Sequence, residues 1–310
     1  VLNYEIEKWD TSGISTLWVK IPQIDSASST DYVYMYYGNS GASATATTTG
    51  VWDSNYVTVQ HWGEDPAGSA PQFQDSTVNN KDGTASSSQV GGVVVASTTA
   101  GKFGSGLDFN GNTQFVSQGE TQLAPLANGS AEFWFDIDTV AASSTNRYLF
   151  SRVKSGSNDG ELRVYVDTAS GSVNRDKIVY QIECTVPSTI SPIATSTAST
   201  TVDSWYHVTA VWDDDTAGAM KLYVNGSQVG YSNTTTCGSE ATAVVTMQGK
   251  NNALNNGYFD GQMDELRVSN IARSADWINA SYAAGQDTLN TYAAAESGGG
   301  PLSVCTAYNT

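Results

Sequence analysis

A period of two constrains this chain more than any other feature. Tyr4 and Ile6 alternate with Glu5 and Glu7, and Leu17, Val19 and Ile21 alternate with Trp18 and Lys20, as a strand with two unlike faces requires. Between Asp31 and Asn39, Tyr32, Tyr34 and Tyr36 share a face before Gly38 and Asn39 supply a turn. Residues 4–37 therefore read as three short strands. Further strands are expected at 56–62, 106–111, 131–138, 148–153, 161–167, 177–183, 206–213, 221–226, 243–249 and 261–269. One segment, 275–284, reads as a helix, with Ser274 as its N-cap and Trp277, Ile278 and Tyr282 available for burial. Many short strands joined by Gly, Asn, Asp and Ser turns predict an all-β chain built on an antiparallel β-sandwich or jelly roll.

The 310 residues suffice for one large all-β domain, or one domain with part of another. Three strands make a poor closed unit, because their edges and one apolar face stay open. Residues 1–56 are therefore expected to form a small partial β-domain ahead of a sandwich over 57–285. The Ser-Gly-Gly-Gly-Pro run then marks 286–310 as a flexible or partner-held tail. Lys and Arg number 14 against 31 Asp and Glu, a net charge of -17, which repels nucleic acid phosphates and anionic lipid heads alike. No run approaches the roughly 18 apolar residues of a membrane-spanning helix, so neither nucleic acid binding nor membrane insertion is expected. Ser, Thr, Gly, Ala and Asn fill the gaps between strand-like runs, a composition typical of secreted and cell-surface β-proteins. Of three cysteines, Cys184 and Cys237 lie in the same half of the chain and are the expected disulfide, leaving Cys305 free or available to link chains. The alternative is three unrelated buried thiols.

Five motifs in order, Gly-Lys-Phe-Gly-Ser-Gly-Leu-Asp-Phe-Asn-Gly from Gly101, the 131–138 strand, Tyr-Leu-Phe-Ser-Arg from Tyr148, the 205–230 hairpin and the 258–282 strand and helix, resemble the laminin-G-like, concanavalin A-like jelly rolls of lectins and glucanases. The resemblance implies two antiparallel sheets packed face to face, often with bound calcium, and carbohydrate binding or adhesion. The first 55 residues, through Leu-Asn-Tyr-Glu-Ile-Glu-Lys-Trp-Asp, Leu-Trp-Val-Lys-Ile-Pro and Val-Trp-Asp-Ser-Asn-Tyr, resemble the C-terminal half of a domain of unknown function. That domain often precedes such jelly rolls in prokaryotic surface proteins. It has strands before this segment, so the chain is expected to start inside a domain. An upstream segment, or a neighbouring subunit by strand addition, would supply the rest.

The strand 131–138 puts Phe133, Phe135 and Ile137 on one face and Glu132, Trp134, Asp136 and Asp138 on the other. A Trp ring beside carboxylates is the chemistry of a sugar subsite, and a solvated outer face is the alternative for Glu132, Asp136 and Asp138. A glycosidase needs two carboxyls about 5 to 9 Å apart with one kept protonated. The Glu-x-Asp-x-x-Glu strand of the superfamily's glucanases is absent from the sequence. Asp213, Asp214 and Asp215 read as a polar turn, because successive strand residues do not converge on one ion. Calcium, which needs about six to eight oxygens, is expected at Asp108 and Asn110 with Asp260 and Asp264. Asp264 and Glu265 can alternatively pair with Arg267 or cap a turn. His61 and His207 are read as packed or hydrogen-bonded core residues, and two histidines with scattered cysteines argue against zinc. Sequons at Asn128, Asn225, Asn233 and Asn279 fit an extracellular setting. The expected function is a non-enzymatic, extracellular cell-surface protein binding carbohydrate or mediating adhesion. A self-assembling structural subunit of a filament or surface layer ranks second, and a glucanase-type hydrolase third.

Overall fold

In a computed structural model of the chain, residues 1–23, 32–39, 41, 46–87, 97–118, 128–141, 143–154, 161–183, 191–213, 220–232, 244–251, 257–292 and 304–307 are described. The strands begin with β1 (Tyr4–Lys8), β2 (Thr16–Val19), β3 (Tyr32–Tyr34), β4 (Tyr56–Gln60), β5 (Thr84–Ser87), β6 (Ser97–Ala100), β7 (Ser105–Asn110) and β8 (Gln114–Gln118). They continue with β9 (Asn128–Ile137), β10 (Arg147–Lys154), β11 (Glu161–Val166), β12 (Lys177–Glu183), β13 (Ile193–Ser199), β14 (Tyr206–Asp213) and β15 (Met220–Val224). The last are β16 (Ser227–Ser232), β17 (Val244–Gln248), β18 (Asp260–Ser269), β19 (Asn290–Tyr292) and β20 (Val304–Ala307). A single-turn helix α1 spans Thr48–Val51, and α2 spans Ala275–Gly285. Every strand expected from alternation is present. β5, β6, β8, β13 and β16, rich in Ser, Thr, Gln or Gly, have no clear apolar period and escape a reading based on it.

Fifteen of the described strands pair antiparallel into two facing sheets. One has the order β13-β12-β11-β10-β17-β8-β5, and the other β16-β15-β14-β9-β18-β7-β6, with β4 also on β18. This is the expected all-β sandwich. Phe133 and Phe150 stack at 6.3 Å across the layers, and Leu107, Phe109, Phe135, Ile137, Val164, Val208, Leu222 and Phe259 complete a core at 0–1 % exposure. Each such side chain contributes about 1.5–3 kcal/mol relative to exposure. The gain rests on the odd–even alternation, which keeps Glu132 and Trp134 of β9 off the core side.

β18 carries an irregularity. Met263 and Asp264 pair with Phe135 and Trp134, whereas Arg267 pairs with Glu132, so one extra residue is inserted between Asp264 and Arg267. Glu265, at φ +59°, takes it up. The bulge lies where the neighbour of β18 changes from β7, paired through Met263, to β4, paired from Leu266. A bulge of this kind re-aims side chains, and it brings Asp264 and Glu265 to the outer face together.

Helix α2 begins as expected, with the Ser274 hydroxyl accepting from the Trp277 amide. Ile278 is buried against Val211 and Tyr223. Trp277, expected in the interior, is 42 % exposed, with the Arg273 guanidinium 4.3 Å from its ring. Beyond residue 286, where a flexible or partner-held tail is expected, β19 and β20 form a three-stranded sheet with β3 of the same chain.

Candidate functional site

Paired residues on neighbouring strands share a face, so the outer face of the eight-stranded sheet is ordered in rows. One row holds Asp108, Gln262 and Asp136, the next Asp264, Trp134 and His207, and the third Arg267, Glu132 and Thr209. The first row is part-exposed and the other two are buried. Their cover is the β1–β2 hairpin, Phe103 and α2. Trp18 packs edge-on to Phe103 at 5.5 Å and lies 4.3 Å from the Arg267 guanidinium, while Tyr282 of α2 stacks on Trp134 at 5.8 Å.

The hairpin turns its charged face inward. Glu5 pairs with Trp18 across it, and Glu5 and Glu7 lie beneath. Ile6 and Val19, on the other face, are 45 % and 39 % exposed. Glu5 Oε2 accepts from Trp52 Nε1 at 2.8 Å, and its Oε1 accepts from the Ser76 hydroxyl at 2.7 Å. Trp18 Nε1 donates to Glu7 Oε2 at 2.8 Å. From β18, Glu265 Oε1 meets His61 Nδ1 at 2.5 Å, and its Oε2 accepts from Arg267 Nη2 at 2.6 Å. Asp264 Oδ2 accepts from the Phe103 amide at 2.9 Å. A second group lies alongside, where Glu132 Oε1 accepts from the Ser281 hydroxyl and from Arg267 Nη1, with His207 Nε2 3.2 Å away.

Burial in this cluster sets the charges against one another. Burial and then the Glu265 charge push Glu7 up to about 8. The same two causes hold Asp264 well above the usual carboxylate range. Burial alone would raise Glu265, but His61 and Arg267 outweigh it and hold it low. His61 would be lowered by burial, yet Glu265 and Glu5 carry it well above an ordinary histidine.

These placements revise several sequence expectations. Trp134, expected as a sugar platform on a wetter face, is 2 % exposed, enclosed by Phe103, His207 and Tyr282. Gly285 of α2 sits so close to that ring that only a residue without a Cβ fits. Glu132 is neither a free subsite acid nor solvated, because α2 and Arg267 seal it. Asp136 remains part-exposed, with its Oδ1 accepting from the Ser204 amide at 2.7 Å, and Asp138 is exposed.

The expected calcium set divides. Asp108 lies beside Asp138 and Asp260, and burial and then their charges raise its carboxyl. Asn110 has its side chain committed to a turn, with Oδ1 accepting from the Asn112 and Thr113 amides and Nδ2 donating to Thr113 Oγ1. Asp264 is wholly buried in the hairpin cluster. Glu265 takes the Arg267 pairing, His207 is buried beside Glu132, and His61 is half-buried and packed between Trp18 and Trp52. Glu5, Glu7, His61, Glu265 and Arg267 as one group were not foreseen. The available signal was the inward-facing pair Glu5 and Glu7 with two acids together on one strand.

Cys184, Cys237, Asn233, Asp214 and Asp215 lie outside the described residues. Cys305 is on β20, opposite Tyr292 and Val33. Asn279 is exposed on α2 and Asn128 opens β9. Asn225, at φ +50°, accepts from the His207 amide in a turn.

Comparison with known proteins agrees with this architecture. The family described as the concanavalin A-like lectin/glucanases superfamily matches residues 109–279, and a domain of unknown function, DUF2341, matches residues 1–62. No curated protein matches the chain. Among solved structures, domain 4 of AbnA, a GH43 extracellular arabinanase from Geobacillus stearothermophilus, solved with arabinotriose, is similar at 16 % identity and a TM-score of 0.54. The match covers 73 % of this chain and 97 % of that one. The receptor-binding domain of the botulinum neurotoxin C/D mosaic serotype is similar at 14 % identity and a TM-score of 0.52, over 76 % of this chain and 52 % of that one. This chain thus spans about half of that receptor-binding-domain chain, and at these identities the likeness is one of fold.

Proposed function

Because this chain belongs to the concanavalin A-like lectin/glucanases superfamily, we propose that it is a non-enzymatic, extracellular carbohydrate-binding or adhesion domain that meets its glycan at the uncovered end of the outer sheet. The observation that carries this reading is the part-exposed row Asp108, Gln262 and Asp136, flanked by Asp138 and Asp260. These carboxylates and an amide accept from and donate to sugar hydroxyls. A net charge of -17 favours neutral over anionic glycans. Domain 4 of the arabinanase, with its arabinotriose, lends the sugar class by analogy of fold. The Ser/Thr-rich composition and the sequons support an extracellular setting, and no described helix is long and apolar enough to cross a membrane.

Calcium belongs to the same reading. Asp108, Asp138 and Asp260 offer hard oxygen ligands from three strands or their ends; burial and then the charges of Asp138 and Asp260 raise Asp108, and burial and then the charges of Asp260 and Asp203 raise Asp138. That donor chemistry fits calcium, whose charge would relieve the repulsion and anchor sugar hydroxyls. The test is a glycan array on the purified chain in calcium and again in chelator. Binding lost in chelator and in Asp108→Asn supports the reading. Silence in both arms on folded protein removes it, and sugar release lost in Asp136→Asn would mark a hydrolase.

The exposed apolar face of the hairpin, with Ile6 and Val19, supports a second reading, a structural subunit that self-assembles there. Its test is sedimentation, with concentration-dependent polymers abolished by Ile6→Lys.

A further inference from the structure

Glu7, His61 and Glu265 each present one donor atom, and the three atoms lie within 4.8 Å of one another. They come from β1, from the end of β4 and from the β18 bulge. We propose that they form a site for one divalent transition-metal ion, best fitted by zinc, that fastens the N-terminal hairpin to the outer sheet.

The donor set selects the metal. One imidazole nitrogen with carboxylate oxygens suits zinc, whereas calcium takes oxygens alone. Tetrahedral zinc with bonds of about 2.0–2.1 Å places its donors about 3.3 Å apart. Here His61 Nδ1 stands 2.5 Å from Glu265 Oε1 and 3.8 Å from Glu7 Oε2, so the observed spacings bracket that value.

Outer contacts already orient each donor. His61 Nε2 faces Glu5 Oε2 at 3.5 Å, which sets a carboxylate toward the nitrogen that a metal at Nδ1 would leave free. Glu5 is itself held by Trp52 and Ser76. Arg267 holds the far oxygen of Glu265, and Trp18 holds Glu7. A second, independent observation points to a cation-binding role. Glu7 Oε1 and Asp264 Oδ1 are buried without a hydrogen-bond partner, with the Glu7 side chain 5 % exposed and Asp264 0 % exposed. Buried carboxylate oxygens are ordinarily satisfied. Asp264, adjacent to Glu265 on the bulge, adds a further buried carboxylate that feels the charges of Glu265 and Glu7. When ionised, Glu5, Glu7, Asp264 and Glu265 outnumber the nearby cations His61 and Arg267, an imbalance that a dication reduces.

The experiment takes the full chain, stripped with chelator, and titrates it with zinc chloride by calorimetry and thermal shift, with calcium chloride in a parallel arm. One zinc per chain is expected, with a rise in melting temperature reversed by chelator. Glu7→Gln keeps the size of the side chain and an acceptor for Trp18, and should weaken zinc at least tenfold. Glu5→Gln should weaken it by roughly ten- to a hundredfold through the imidazole. Asp138→Asn, in the proposed calcium region, should leave the zinc titration unchanged. Absence of zinc binding, or zinc bound equally by Glu7→Gln and Glu265→Gln, overturns the site. If those variants misfold, cobalt decides in the unaltered chain: visible bands of a tetrahedral nitrogen–oxygen centre are expected, and their absence at saturation overturns it.

Discussion

His61 Nδ1 lies 2.5 Å from Glu265 Oε1 although the two residues are 204 positions apart. The contact joins the end of the segment that matches the N-terminal family to the last strand of the sandwich. Around it Glu5, Glu7 and Trp18 of the hairpin face inward, and Arg267 reaches Glu265, Trp18 and, on its other side, Glu132. The hairpin and the sandwich thus share one buried polar cluster, joined where Glu5 meets Ser76 and His61 and where Trp18 meets Arg267.

Arg267 is the member whose loss should cost most. Its side chain is 7 % exposed and serves both Glu265 and Glu132, so Arg267→Met leaves two buried carboxylates short of a counter-charge. Breaking a buried pair in this way costs about 3–5 kcal/mol. Urea denaturation at neutral pH measures it, with Arg175→Met as the control. The Arg175 side chain is 43 % exposed beside Asp176, and its removal should cost under about 1 kcal/mol. Equal losses in the two variants would contradict the buried cluster.

Gly285→Ala sets two effects against each other. Alanine in a helix gains about 0.5–1 kcal/mol over glycine, but a Cβ here would come within 2.5 Å of the Trp134 ring and 3.1 Å of Phe103. Both rings are packed, so the clash prevails and the variant should lose about 1–3 kcal/mol net. Thermal unfolding checks the sign, and an unchanged or higher melting temperature would mean that α2 does not rest on Trp134.

The sandwich was legible because Phe133, Phe135 and Ile137 alternate cleanly with polar neighbours, and the same signal located β4, β7, β14 and β18. It failed at β8 and β13, where Ser, Thr and Gln occupy strand positions on both faces. It also misjudged the outer face: alternation showed which side Trp134 takes, and nothing local showed that α2 and the hairpin cover that side. The cluster was hidden for a related reason. A sequence offering two histidines and scattered cysteines argues against zinc, and only the bulge at Glu265, with its φ of +59°, turns two adjacent acids to one face.

Asp138→Asn should stabilise the chain in chelator. Asp138 is raised by burial and then by the charges of Asp260 and Asp203, so removing its charge relieves repulsion worth about 0.2–1 kcal/mol at such an exposed position. In calcium the order should reverse, with the unaltered chain gaining more from the ion. Paired melting curves in both buffers test this, and a parallel shift in the two would separate Asp138 from any calcium effect.

Glu132 should govern an acid limb of stability. Burial alone would raise its carboxyl, but His207, Arg267 and Ser281 outweigh burial and bring it from 4.5 to about 2. The folded chain therefore holds this proton less tightly than the unfolded chain does. The resulting stabilisation is complete above pH 4.5 and is lost as pH falls toward about 2. At about 1.4 kcal/mol per unit it amounts to about 3 kcal/mol. Glu132→Gln should lower stability at neutral pH, because a neutral amide cannot compensate Arg267, and should flatten the decline between pH 4.5 and 2. Urea midpoints collected across that range for both chains provide the measurement. An acid limb of equal steepness in the variant would assign the proton uptake to another carboxylate.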